Sequence, residues 1–210
     1  MELTQQCKFA LWREGGEKHH LTTAQLEDKL GFTCLSELSF QSPDLKTHLL
    51  QEGKKRAETK EIDPLHLELG DKWQNQIEEG TLPSVSIRWI DQQVEYGLFA
   101  EETLEVGTFA GEYVGLVRKN NDHLSLSNYL YAYPICDEIG RNYVIDAAAG
   151  SLIRFINHSY KPNLAPHYAF VDGLYHMILL VIAPIKKGEQ LTYNYGKNYW
   201  YVRSPPKEFS

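Results

Sequence analysis

In the first 80 residues the apolar positions recur at helical spacing. Thr22 and Gln25 make a capping-box pattern ahead of AQLEDKLGF, where Leu26 and Leu30 sit one turn apart before a stop at Gly31. Ser42-Pro43 sets an N-cap residue before a first-turn proline and predicts a helix with Leu45, Leu49 and Leu50 on one face. Asp63-Pro64 repeats that start signal. Leu65, Leu69, Trp73 and Ile77 then recur every four residues and end near Gly80. This stripe needs a surface to cover it, either the rest of the chain or a second copy. The second case predicts a homodimer through these residues.

From Leu82 onward the pattern changes. VSIRWI, GTFAGEYVGLV, NYLYAYPI, NYVIDA and LYHMILLVIAP are short, β-branched and aromatic, with Gly, Pro, Asn and Asp between them. Such runs predict many short strands in a compact β fold. The boundary falls around Gly80–Ser84, giving a helical N-terminal region over 1–82, a β-rich domain over 83–203 and a tail over 204–210. The fold class is α+β. There is no internal repeat and no low-complexity tract.

Composition narrows the class further. With 210 residues, 42% hydrophobic and 23% charged, the chain has a globular mix and the length to bury a core. The longest mainly apolar run, Tyr175 to Ile185, is broken by His176 and Pro184 and falls short of the roughly 20 residues a membrane helix needs. No membrane association is expected. The start, MELTQQCKFALWREGG, has neither a basic head nor a long apolar stretch, so no secretory signal is expected. Cys7, Cys34 and Cys136 are scattered without a CxxC pair, which suits a reducing compartment, cytoplasm or nucleus.

The net charge of -7 is unevenly spread. Residues 91–185 hold 11 acidic and 5 basic side chains, whereas 186–210 hold 2 and 5. An acidic centre suits a basic partner, and plain solubility explains it equally well. The only compact basic cluster is Lys54-Lys55-Arg56, so no direct nucleic-acid binding is expected.

Polar chemistry concentrates in two places. One is Arg154-Phe155-Ile156-Asn157-His158-Ser159, followed by Pro162-Asn163. The other is Gly188-Glu189-Gln190-Leu191-Thr192-Tyr193-Asn194-Tyr195-Gly196, where two tyrosines two apart on a strand share a face. Taken singly, a His beside Asn and Ser reads more readily as a hydrogen-bonded turn, and Tyr-x-Tyr as strand packing.

In this order, RFINHSxxPN followed by GEQLTYNYG resembles the signature pair of SET-domain protein methyltransferases. Supporting pieces are Tyr96-Gly97-Leu98-Phe99-Ala100, Gly111-Glu112-Tyr113-Val114-Gly115, Tyr129-Leu130-Tyr131 and Asp146-Ala147 before Gly150. The resemblance covers about residues 84–203. It implies small curved sheets around a pseudoknot-like C-terminal threading. It also implies transfer of a methyl group from S-adenosyl-L-methionine to a substrate lysine. The N-terminal helices, Tyr133-Pro134 and the tail Tyr195-Gly196-Lys197-Asn198-Tyr199-Trp200 are similar to the chlamydial SET-domain proteins, viewed as modifying histones of the host or the bacterium's own histone-like proteins. That narrower likeness implies a bacterial effector delivered to the host nucleus.

The implied chemistry has a physical requirement. Deprotonating an ordinary lysine at pH 7 costs about 4.6 kcal/mol. A narrow tyrosine-lined channel beside a fixed positive charge lowers that cost, because desolvation and a like charge both favour the neutral amine. Carried over motif by motif, Tyr195 is the central catalytic hydroxyl and Tyr193 the position that controls how many methyl groups fit, its tyrosine favouring monomethylation. Tyr113 lines the lysine channel. Asn157 and His158 hold the adenine end of the cofactor, with Arg154 and Phe155 shaping the fold around it. The resemblance also implies that Tyr96, Gly97 and Arg154 belong to the cofactor site and that Tyr129 lines cofactor or channel.

Three departures from the family pattern stand out. The opening GxG reads Glu95-Tyr96-Gly97, which puts a side chain where backbone meets cofactor. NHSC becomes Asn157-His158-Ser159-Tyr160 and no CxCxxxxC tail follows, so no zinc is expected. Tyr199, Trp200 and Tyr201 are then candidates to close the channel, with Trp200 stacking near adenine. Ser151 replaces an Asn, a minor change. Three readings remain: a lysine methyltransferase of histone or histone-like proteins, the same enzyme on a non-histone target, or a SET fold kept as a binding or assembly module.

Overall fold

The computed structural model describes residues 8–120, 127–201 and 203. In chain order its elements begin with strands β1 (Lys8–Trp12) and β2 (Lys18–Thr22), helix α1 (Thr23–Leu30), strand β3 (Ser39–Phe40) and helices α2 (Pro43–Glu58) and α3 (Pro64–Glu78). Strands β4 (Val85–Trp89), β5 (Tyr96–Ala100), β6 (Phe109–Glu112), β7 (Leu116–Lys119), β8 (Leu130–Cys136) and β9 (Asn142–Asp146) follow. A 3-10 turn (Leu152–Phe155) then leads to β10 (Asn157–His158), β11 (Leu164–Val171), β12 (Leu174–Val181), β13 (Thr192–Tyr193) and helix α4 (Lys197–Trp200). The strands form three sheets, ordered β2-β1-β4-β5, β10-β13-β11-β12-β6 and β3-β7-β9-β8. Among the described residues no helix is long and apolar enough to cross a membrane.

Local chemistry explains the helix starts. The Thr22 hydroxyl accepts from the Gln25 N–H while the Gln25 side chain accepts from the Thr22 N–H, closing a capping box at the head of α1. Ser42 caps α2 by accepting from Leu45 at 3.1 Å, and Asp63 caps α3 by accepting from Leu65 at 2.9 Å.

The helical reading of the first 22 residues needs correction. KFALW and KHHLT are strands of a hairpin, turned by Gly15 and Gly16 at φ 88 and 82. Left-handed backbone of this kind suits glycine, and the polar face of KHHLT hides its strand character. Strand β1 also lies parallel to β4, with Leu11 opposite Ile87. The division drawn at 82/83 therefore runs through one sheet. One core also spans both sides, joining Leu11, Leu26, Leu45 and Leu49 to Ile145, Leu152, Ile153 and Met177.

The stripe on α3 is covered within the chain. Leu69 and Ile77 are buried with Phe109, Ala169, Val171 and Ile178, and Trp73 packs its ring 5.4 Å from that of Phe109. Only Leu65 of the four stays well exposed, at 45%. The homodimer expected through this stripe loses its basis, because β6, β11 and β12 supply the missing surface. Two glycines allow that approach. Cβ atoms at Gly53 of α2 and Gly70 of α3 would run into the carbonyl oxygens of Gly173 and Phe170, so both helices meet the β11–β12 hairpin backbone to backbone.

Candidate active site

The two-residue strand β13 lies between β10 and β11 and is parallel to both, with Asn157 opposite Thr192 and both His158 and Leu164 opposite Tyr193. This threading brings together two segments about 35 residues apart. Asn163 pins it, donating to the Gln190 carbonyl and accepting from the Thr192 N–H, each at 2.8 Å. Beyond the strand, the Tyr195 N–H donates to Nδ1 of His158 at 3.1 Å.

Tyrosines crowd this junction. The Tyr195 hydroxyl donates to the Ile156 carbonyl at 2.8 Å, and the buried Tyr113 hydroxyl donates to the Tyr129 carbonyl at 2.9 Å. Ring centroids of Tyr193 and Tyr195 are 4.8 Å apart, and those of Tyr113 and Tyr131 6.0 Å. Burial first, then neighbouring tyrosines, raises the phenol pKa values of Tyr113, Tyr193 and Tyr195 above the ordinary range. At neutral pH these hydroxyls are uncharged. They can direct hydrogen bonds and wall off water, and they leave no phenolate to serve as a base.

On the other side of β10, the Asn157 amide donates to the Tyr96 carbonyl at 3.1 Å. A Cβ on Gly97 would come within 2.6 Å of Gln190 Nε2, 2.7 Å of Ile90 Cδ1 and 3.0 Å of Asn157 Nδ2. Glu95, just ahead, holds φ 64, a conformation glycine adopts freely. His158 sits edge-on between Tyr160 and Trp200, at 4.5 and 4.9 Å. Burial pushes its pKa below the usual imidazole value. The ring is therefore neutral, and because Nδ1 accepts, the proton rests on Nε2. That Nε2 and the indole Nε1 of Trp200 are buried donors with no partner among the described residues.

Most of the predicted residues converge. Tyr96, Gly97, Tyr113, Tyr129, Asn157, His158, Tyr193, Tyr195 and Trp200 surround this junction. Arg154 stands behind it, donating to the Ala147 carbonyl at 2.8 Å, with its guanidinium 4.0 Å from the Tyr129 ring centroid and against Phe32 and Phe155. It holds Tyr129 in place. Tyr201, expected to help close the channel, is 91% exposed and does not wall the site. It follows the short α4 and turns outward, while Tyr199 and Trp200 face in, their rings 4.7 and 6.1 Å from that of Tyr195. Tyr131, quoted above only as part of Tyr129-Leu130-Tyr131, received no site role from the sequence. The alternation in NYLYAY puts it on the same face as Tyr129, which is the signal that could have found it.

Residues 95–196 match the SET domain family. Histone-lysine N-methyltransferase ASHH3 of Arabidopsis thaliana is 38% identical over 109 residues, 47% of this chain and 29% of that protein. Histone-lysine N-methyltransferase EHMT1 of Mus musculus is 30% identical over 117 residues, 53% of this chain and 9% of that protein. Among solved structures, the Chaetomium thermophilum polycomb repressive complex 2 aligns with a TM-score of 0.50 at 27% identity, over 60% of this chain and 17% of that one. This chain thus spans less than a third of the length of each of these proteins. Residues 95–196 thus match the SET domain family and are similar to segments of histone-lysine methyltransferases.

Proposed function

We propose that the chain is an S-adenosyl-L-methionine-dependent protein-lysine N-methyltransferase acting on a basic protein, histone or histone-like. The observation that carries this reading is the convergence of three uncharged tyrosines, Tyr113, Tyr193 and Tyr195, on the strand bearing Asn157 and His158. The named histone-lysine methyltransferases, to which the segment is 30–38% identical, support it.

The residues fit the cofactor. Tyr96, Gly97, Asn157 and His158 would hold it, at a bare Gly97 where a Cβ would crowd Gln190 and Asn157, with two unpartnered donors on His158 and Trp200 nearby. When bound, S-adenosyl-L-methionine supplies a methyl group on a sulfonium. The chain supplies the rest. Desolvation among the tyrosine rings favours the neutral lysine amine. The Tyr195 hydroxyl gives its hydrogen to Ile156, so its lone pairs remain to orient an amine N–H. Fixing the amine in line accounts for a large part of the acceleration. The Tyr193 hydroxyl restricts the space beside the amine and favours monomethylation.

An acidic segment over residues 91–185 supports a lysine-rich substrate. The likeness to chlamydial SET proteins makes host histones and bacterial histone-like proteins the first targets to try. The test is transfer of labelled methyl to core histones, histone-like proteins and a neutral control, with Tyr195→Phe alongside. Label on a basic protein that disappears in the variant is the expected result. Absence of cofactor binding by calorimetry at millimolar concentration overturns the reading in favour of a binding module.

A further inference from the structure

Helix α4, Lys197–Trp200, cannot hold itself in place. It is four residues long, has no side-chain N-cap and buries none of its residues fully. A single turn is unstable alone. Yet its Tyr199 and Trp200 form one wall of the tyrosine site. Arg203 reaches that wall from the far side.

The Arg203 guanidinium donates in three directions: to the Ser127 carbonyl at 3.0 Å, to the Asn128 side-chain oxygen at 3.0 Å and to the Tyr199 carbonyl at 3.2 Å. Its carbon lies 4.4 Å from the Tyr199 ring centroid. The anchor on the far side is itself braced. The Ser127 hydroxyl donates to Asp146 at 2.8 Å and accepts from the Tyr129 N–H at 3.3 Å, and Asp146 accepts from Arg118 at 2.9 Å. Tyr129 is also the residue whose carbonyl receives the Tyr113 hydroxyl. One side chain therefore spans from the Tyr113–Tyr129 wall to the Tyr195–Tyr199 wall.

We propose that Arg203 is a positioning residue that clasps the C-terminal aromatic wall to the Ser127–Tyr129 edge, and so sets the fraction of molecules whose site is ready for substrate. The substrate part rests on the methyltransferase reading above. Only a planar fork serves three acceptors and a ring face together. Lysine, a point charge on a flexible stem, does not. An unclasped wall must re-form on each binding event, so apparent affinity falls by the fraction lost. The rate at saturation is largely kept.

The experiment uses the full chain labelled with 5-fluorotryptophan, which gives four fluorine resonances from Trp12, Trp73, Trp89 and Trp200, the last assigned by Trp200→Phe. Arg203→Ala is expected to move the Trp200 resonance alone. It should also raise KM for a lysine-bearing histone-tail peptide about tenfold, a loss in the range of charge-assisted hydrogen bonds, with kcat within about twofold. Arg203→Lys should resemble the alanine variant. An unmoved Trp200 resonance, a shift of all four together, or an unchanged KM overturns the proposal. Should the unaltered protein transfer no methyl group to any substrate, the methyltransferase reading fails instead, and the fluorine spectra still decide whether Arg203 holds the wall.

Discussion

The backbone N–H of Tyr195 donates to Nδ1 of His158 across 3.1 Å, tying the tyrosine segment to the strand that lies beside it. This bond exists only while the imidazole is neutral, because a proton on Nδ1 turns the acceptor into a donor. Burial favours the neutral form and lowers the His158 pKa from its usual value.

A pH dependence follows, with a definite sign. The unfolded chain takes up the proton near an ordinary pKa of about 6.5, and the folded chain only at lower pH. The contribution of His158 to stability is therefore complete above that value and falls away as pH drops through it toward the folded pKa. His167 is shifted the same way, by burial and then by His66, so it needs its own control. Urea midpoints between about pH 7.5 and pH 5.5 should fall less steeply in His158→Gln than in the unaltered protein, with His167→Gln measured in parallel. Equal slopes for the His158 variant and the unaltered protein would refute this.

Removing the Tyr195 hydroxyl has two separable consequences. In Tyr195→Phe the buried Ile156 carbonyl loses its donor. An unsatisfied buried acceptor costs about 1–3 kcal/mol, so the melting temperature should drop by several degrees. Methyl transfer should fall by about two orders of magnitude even where the variant is fully folded, consistent with loss of an orienting group. A rate loss that vanishes once the folded fraction is corrected for would assign the hydroxyl to packing alone.

The residues that sequence alone revealed share a trait: their roles are written locally. Thr22, Ser42 and Asp63 cap helices whose first turns follow at once, and RFINHS with TYNYG carries its resemblance in a few adjacent letters. The hairpin of β1 and β2 was hidden because KHHLT offers little apolar alternation, although Gly15-Gly16 marked the turn. The α3 stripe was visible, but its cover of Phe109, Ala169, Val171 and Ile178 is remote in sequence. Arg203 was hidden for the same reason, since its acceptors Ser127 and Asn128 lie 75 and more residues earlier. Side chains that act across the fold leave no periodic trace.

Glu95 offers a test of strain near the site. Its φ of 64 is the left-handed conformation, which costs a non-glycine residue about 1 kcal/mol or more. Glycine removes that strain and adds back part of the unfolded chain's entropy. Glu95→Gly should therefore stabilise the protein by about 0.5–1 kcal/mol, read as a higher urea midpoint at unchanged slope. Cofactor affinity should hold or improve, since the backbone there keeps its path. A lower midpoint would mean that the Glu95 side chain makes a compensating contribution.

Gly70 tests how the helical layer is seated. In a helix interior Gly→Ala ordinarily stabilises by about 1 kcal/mol, because alanine orders at lower entropic cost. At Gly70 the added methyl would collide with the carbonyl oxygen of Phe170 in β11, and backbone of a strand paired with β12 cannot step aside as a side chain can. Overpacking of this kind costs about 1–3 kcal/mol, which outweighs the propensity gain and reverses the sign. Gly70→Ala should thus lower the melting temperature, while Glu68→Ala, exposed on the same helix, should leave it nearly unchanged. A stabilised Gly70→Ala protein would show that α3 rests on the sheet through side chains such as Leu69 and Ile77 with room to spare, and that the close approach of the two backbones is not needed.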